Sequence, residues 1–362
     1  MKMPEKIILL GPFGKLETNA LELVAAFLAL VIRHARIWFL SNWKEVYGHS
    51  KIRWQLNLGI PARNYDDKTI KQGFLTAARA AWWLSIQKGP VTFALMRDAV
   101  RQARRENFDP GIHPDYINVV PELAAEVAGY ARSPFRRPGL HLIVDVGAST
   151  MDIATFRLDV QSGEFRYAFL CAEVNENACK NLHRERIRKV FSELSGWVKL
   201  LKKTDDHEVL GSPAHYQPPR VSVEEVDERF VSRAAIPIRR IIATTKTQRD
   251  PNAPEWQTGV PLFVCGGGGE LPLFREQLKT KVEKGLRNYQ WKGFIPMSLR
   301  MPEDLTAEGL GTENYHRLAV AYGLSFFFQD IGEIVPPSEI EDIEPTKPIR
   351  DFEDRFVGKE QV

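Results

Sequence analysis

Two carboxylates, two hydroxyls and a glycine fall within eight positions of this 362-residue chain: Asp145, Gly147, Ser149, Thr150 and Asp152, in the run DVGASTMD. These residue types suit a metal-chelated polyphosphate. Glycine has no Cβ and adopts positive φ readily, so backbone N–H groups can approach phosphate oxygens closely. Ser149 and Thr150 add hydroxyl donors, while Asp145 and Asp152 are hard oxygen ligands able to hold Mg²⁺ directly or through its waters. An ordinary acidic hairpin turn has the same composition, and the run alone does not separate the two readings.

Such a turn needs strands to hold it. Residues 142–146 (LIVDV) and 153–158 (IATFRL) are apolar runs on either side, so the segment reads as a β-hairpin. A second cradle lies later. Residues 261–265 form a strand that runs into Gly266, Gly267, Gly268 and Gly269, and a helix begins near Pro272. Strand, glycine run and helix N-terminus together can bind an anion or a nucleotide. A third feature is the short strand 117–120 entering Pro121-Glu122 and an alanine-rich helix, 123–131, whose small side chains permit close packing. A carboxylate at Glu122 also suits a helix N-terminus for dipole reasons alone.

Around these lie a strand at 6–10, a turn at 11–14 and a helix carrying the apolar segment 21–32, capped by Thr18 or Asn19. Gly14-Lys15 does not complete a P-loop, since positions 9 and 16 are both leucine. A strand at 54–60 and a helix at 68–84 follow, then a mixed or helical stretch at 91–103. After the hairpin come a strand at 165–172 and a helix from about 175 to 202. Residues 203–219 make a polar loop. The helical pattern of 223–235 should break or kink at Pro237. A last helix spans 318–328, and from Gly332 onward the acidic, proline-bearing sequence reads as disordered.

Composition narrows the class. Hydrophobic residues make up 44% and charged residues 26%, ordinary for a globular protein, and a net charge of +3 gives no case for nucleic acid as partner. The basic runs 101–105 and 183–189 read as solvated helix faces. Three cysteines without a C-x-x-C spacing fit a reducing, cytoplasmic setting. The segment 21–32 is too short to span a bilayer and reads as a buried helix, so no membrane span is expected.

Taken together, the motifs resemble the actin-like ATPase superfamily, which includes DnaK-type (Hsp70-like) heat-shock chaperones, sugar kinases and bacterial actin homologues. Residues 145–152 resemble its second phosphate loop, FVCGGGGELP (263–272) its adenosine loop, and VVPELAAEVAGY (119–130) its hinge helix. LGIPA (58–62) with the following helix, and AVAYG (319–323), are similar to the heat-shock branch. The resemblance covers most of residues 55–330. It implies an α/β, ribonuclease H-like two-lobed fold that closes over ATP and Mg²⁺.

On that resemblance Asp145 and Asp152 lie at the magnesium, Gly147, Ala148, Ser149 and Thr150 face the phosphates, and Thr150 orients the attacking water. Glu122 holds a water or cation at the hinge, and Gly266, Gly267 and Gly268 let the nucleoside rest on bare backbone. It also implies a first lobe at 1–138 with its hinge helix at 121–131. A second lobe follows at 139–334 with an inserted subdomain at about 175–250, and a disordered acidic tail at 335–362. The family's first phosphate loop, D-x-G-[ST], has no counterpart near Met1. The first lobe is therefore expected to be N-terminally incomplete, and ATP hydrolysis, an ATPase activity, stays open. A protein partner would dock on the tail or on an exposed sheet edge. A catalytically degenerate scaffold and a filament-forming actin homologue are the alternatives.

Overall fold

The computed structural model describes residues 7–11, 14–161, 163–193 and 222–343. The chain forms two compact units, Met1–Gly129 with Leu318–Gly332, and Tyr130–Arg317 with Glu333–Val362. Two points differ from the boundaries drawn on the sequence. The first crossing falls inside the short helix Ala128–Arg132 and not at 138, and the chain returns to the first unit for the segment Leu318–Gly332.

The smaller unit opens with an antiparallel hairpin, β1 (Ile7–Gly11) and β2 (Gly14–Thr18). The helix Ala20–Asn42 follows. Asn19 caps it through a reciprocal pair in which Asn19 Oδ1 accepts from Glu22 N–H and Glu22 Oε2 accepts from Asn19 N–H. Its Ala25, Ala29 and Ile32 bury in one core with Ala78, Ala81 and Leu84 of the helix Lys68–Ile86 and Ala99 and Val100 of the helix Phe93–Ala103. Alanine on facing turns lets these helices approach closely. β3 (Leu56–Ile60) and β4 (Ile117–Pro121) form a two-stranded parallel sheet.

The first helix is longer and less buried than the sequence reading of a short, buried segment at 21–32. It has 23 residues and, by length and composition alone, is apolar enough to cross a membrane, as core helices of soluble proteins also can be. Only one of its faces is covered.

The larger unit carries a six-stranded mixed sheet in the order β10-β7-β6-β5-β8-β9. β5 (Gly139–Val146), β6 (Met151–Gln161) and β7 (Glu164–Asn175) form an antiparallel meander. β8 (Val260–Cys265) and β9 (Phe294–Met297) add in parallel on the other side of β5, and β10 (Glu333–Val335) pairs in parallel with β7. Alternate residues Leu140, Leu142, Val144 and Val146 bury against the helix Glu224–Thr244, through Phe230, Ala234, Ile238 and Ile241. The other face of β5 carries Ile143 and His141. The His141 ring stacks on Phe156 and Phe263, at centroid distances of 5.1 and 6.1 Å.

Three further readings change here and a fourth narrows. Of the break or kink expected at Pro237, the break does not occur, since the proline sits inside the helix Glu224–Thr244. The loss of one backbone hydrogen bond, about 3 kcal/mol in an exposed helix, is offset by the apolar burial on both sides of the proline. That helix belongs to the sheet's own core, although the sequence assigned it to an inserted subdomain. The run 183–189 is not uniformly solvated. Arg186 is buried and donates from Nε and Nη2 to Asp227 Oδ1 and Oδ2, both at 2.7 Å, tying the helix Cys179–Glu193 to Glu224–Thr244. Order also persists beyond the expected start of the tail at 335. Val335 is buried in β10, Arg249 Nε meets Asp342 Oδ1 at 3.1 Å, and Ile343 N–H donates to Gln248 O. The polar loop 203–219 and the tail residues 344–362 lie outside the described residues.

Candidate functional site

The strand order decides which turns become neighbours. β5 and β8 run parallel with Asp145 opposite Cys265, and β6 returns antiparallel from Met151. The bend 147–150 and the glycine run 266–269 therefore leave the same end of the sheet, the carboxyl end of its parallel strands. Crevices at that end of open α/β sheets are where ligands commonly bind.

The two bends touch. Gly266 has a φ of 72°, open to glycine and strained for other residues, and a Cβ there would overlap Asp145 Oδ1. A Cβ on Gly268 would overlap the Cys179 thiol and would stand 2.5 Å from Val146 Cγ1. Gly266 and Gly268 are thus glycines because β5 and the helix Cys179–Glu193 press against them. Gly267 is exposed, and a side chain there would meet nothing within 4 Å. Of the three glycines assigned to the nucleoside, Gly267 is the one facing open space on its side-chain side.

The bend itself is tightly held. Gly147 N–H donates to Thr150 O at 2.9 Å, which commits that amide to the turn and not to a ligand. Lys180 N–H donates to Ala148 O at 2.7 Å and Cys179 N–H to Gly147 O at 3.4 Å. The helix N-terminus so takes up the carbonyls of the bend. Ala148 and Ser149 are exposed at its tip and Thr150 is half-buried.

Asp145 and Asp152 are direct partners in the antiparallel register, so both carboxylates leave the same face of the sheet. Asp152 is buried and Asp145 half-buried. Burial alone raises the Asp145 carboxyl to about 6. Two neighbouring carboxylates, one costly to ionise, make a locus that favours a cation. No group of three or more His, Cys, Asp or Glu side chains able to hold a metal occurs among the described residues. The pair fits a cation that takes its other ligands from water and from a phosphate, as Mg²⁺ does, and not a closed protein cage.

A cavity of about 330 Å³ opens beside the glycine run, lined among others by Val264, Cys265, Glu270, Arg275, Lys279 and His316. Glu270 accepts from Arg275 at 2.7 Å and stands 3.8 Å from His316. Asp145 and Gly147 do not line this cavity. Glu122 belongs to the smaller unit, where its Cγ would stand 2.8 Å from a Cβ on Gly59, whereas the other nine candidate residues belong to the larger one.

The sequence missed Cys179. Its thiol packs on Gly268, and burial raises its pKa to about 11, so it acts as a small filler and not as a nucleophile. No known protein family matches the sequence, and no curated protein matches it either.

Proposed function

We propose that the chain binds a magnesium-chelated nucleoside triphosphate, ATP in the first instance, as an actin-like, Hsp70-like nucleotide-binding protein. The observation that carries this reading is the contact between two distant bends, the hairpin at Asp145–Val146 and the glycine run at Gly266–Gly268. Three antiparallel strands extended by two parallel ones on the first strand are compatible with a ribonuclease H-like lobe. In this reading Asp145 and Asp152 hold the Mg²⁺ or its waters, and the exposed Ala148–Ser149 tip with Thr150 meets the phosphates. The nucleoside lies over Gly267 and reaches toward the Glu270 cavity. Bound Mg²⁺ would neutralise phosphate charge, and the residues present suffice for positioning and charge neutralisation. Glu122, the alanine-rich segment after it and lobe closure enter as expectations from the resemblance.

Calorimetric titration of ATP tests the reading. Saturable binding that requires Mg²⁺ and weakens at least about tenfold in Gly267→Val supports it. A Gly267 side chain stands in open space, so the variant should fold. Absence of binding at millimolar ATP with Mg²⁺ rejects the reading. Phosphate release measured on the same samples decides whether binding leads to hydrolysis.

A further inference from the structure

The helix Ala20–Asn42 is only half used by the fold. Ala25, Ala29 and Ile32 are buried, whereas Phe27, Leu30, Val31, Ile37, Trp38 and Leu40 are exposed, Phe27 by 65% and Ile37 by 58%. These positions recur at helical spacing and form one largely apolar face on the outer side, with the exposed His34 in its middle. The chain then continues the pattern. Trp43, Val46 and Tyr47 are also exposed, with Val46 at 62%, and Tyr47 stacks on Phe39 at a centroid distance of 5.7 Å. An apolar surface of this extent marks a contact made with something else.

We propose that this face docks on the surface of a lipid bilayer bearing anionic headgroups, with the helix lying in the interface plane. Two observations choose this occupant. The first is charge. Lys44, Lys51 and Arg53 are exposed beside the aromatic end, against a single acid, Glu45, between Phe27 and Arg53. Tryptophan and tyrosine with lysine and arginine form the residue set that settles at headgroup level. A second copy of the chain would bring the same cations to the contact with almost no acid to meet them.

The second observation separates lying on the membrane from crossing it. Arg33 donates to the carbonyls of Leu84, Gln87 and Gly89, at 2.9, 3.1 and 2.8 Å, and so caps the helix Lys68–Ile86. Arg36 lies over the rings of Trp54 and Trp82. A spanning helix would have to leave these partners and the buried alanine seam. An in-plane helix keeps all of them and presents only its outer stripe to lipid.

Co-sedimentation of the full chain tests the proposal. The probes are vesicles of phosphatidylcholine alone and of phosphatidylcholine with phosphatidylglycerol. The chain should pellet with the anionic vesicles, and partitioning should fall at least about tenfold in Ile37→Ser/Trp38→Ser and in Lys44→Glu/Lys51→Glu. All four side chains are exposed, and unchanged circular dichroism melts would show that both variants fold. Failure to pellet with either vesicle overturns the proposal, as do equal pelleting with both vesicle types and wild-type partitioning by both variants. A dimer seen by light scattering that Ile37→Ser/Trp38→Ser dissolves, with no vesicle binding, assigns the face to a second copy instead.

Discussion

Ionising Asp145 costs the ligand-free protein stability, because burial holds its carboxyl at about 6 while the unfolded chain ionises near 3.8. The folded state keeps its proton longer, so this contribution is complete below about pH 4 and is lost as pH rises through 6. Asp145→Asn removes the dependence. The stability of the variant relative to wild type should therefore climb by about 3 kcal/mol between pH 4 and pH 8, read from urea melts. A flat difference would mean that the carboxylate is not desolvated. His141 runs the other way. Burial lowers it to about 4, with Nδ1 donating to Gly139 O at 2.9 Å and Nε2 accepting from Tyr130 Oη at 3.2 Å. Its contribution is present above about pH 6.5 and falls by about 3 kcal/mol as pH drops toward 4, so His141→Phe should flatten the acid limb of the stability profile. The hairpin that carries the bend was legible, because two apolar runs flank a glycine-bearing turn. What Gly266 and Gly268 actually meet was not legible, since that depends on Val146 and Cys179, far away in sequence.

At the scale of elements, the sequence signals that survived were local ones: the Asn19 cap, the paired apolar runs of β5 and β6, and the strand before the glycines. Non-local packing overrode the rest. Pro237 stays helical because Phe230, Ala234, Ile238 and Ile241 bury around it, and a basic run hides Arg186 because Asp227 waits on another helix. The AVAYG run illustrates both. A small residue was visible at Gly323, but its reason is that a Cβ there would overlap Ala125 O in the helix Glu122–Glu126. Gly323→Val should therefore destabilise the chain by about 2 kcal/mol or more, measured by urea unfolding, and an unchanged midpoint would refute the close approach. Breaking the buried pair with Arg186→Ala strands Asp227 and should cost about 3–5 kcal/mol, whereas Arg233→Ala, whose pair with Glu185 is exposed, should cost under about 1 kcal/mol.

For the whole molecule, two units accord with the two lobes expected from the sequence, but the return of the chain to the first was beyond reach of composition, which marks solvent-facing stretches and not which edge accepts a late strand. β10 is the example. An acidic, proline-bearing stretch still pairs with β7 and buries Val335. A chain ending at residue 343 should consequently be more stable than one ending at 332 by about 3 kcal/mol, from the ladder bonds, the buried valine and the Arg249 contacts with Ile340 and Asp342. Equal melting of the two would deny β10 its place. A thermal melt with and without Mg-ATP reads most directly whether the junction of hairpin and glycine run is a nucleotide site. Wild type should gain about 3 °C or more at saturating Mg-ATP, and Asp145→Asn should gain nothing while remaining folded at pH 8. An equal gain in both proteins, or none in wild type, would contradict the assignment.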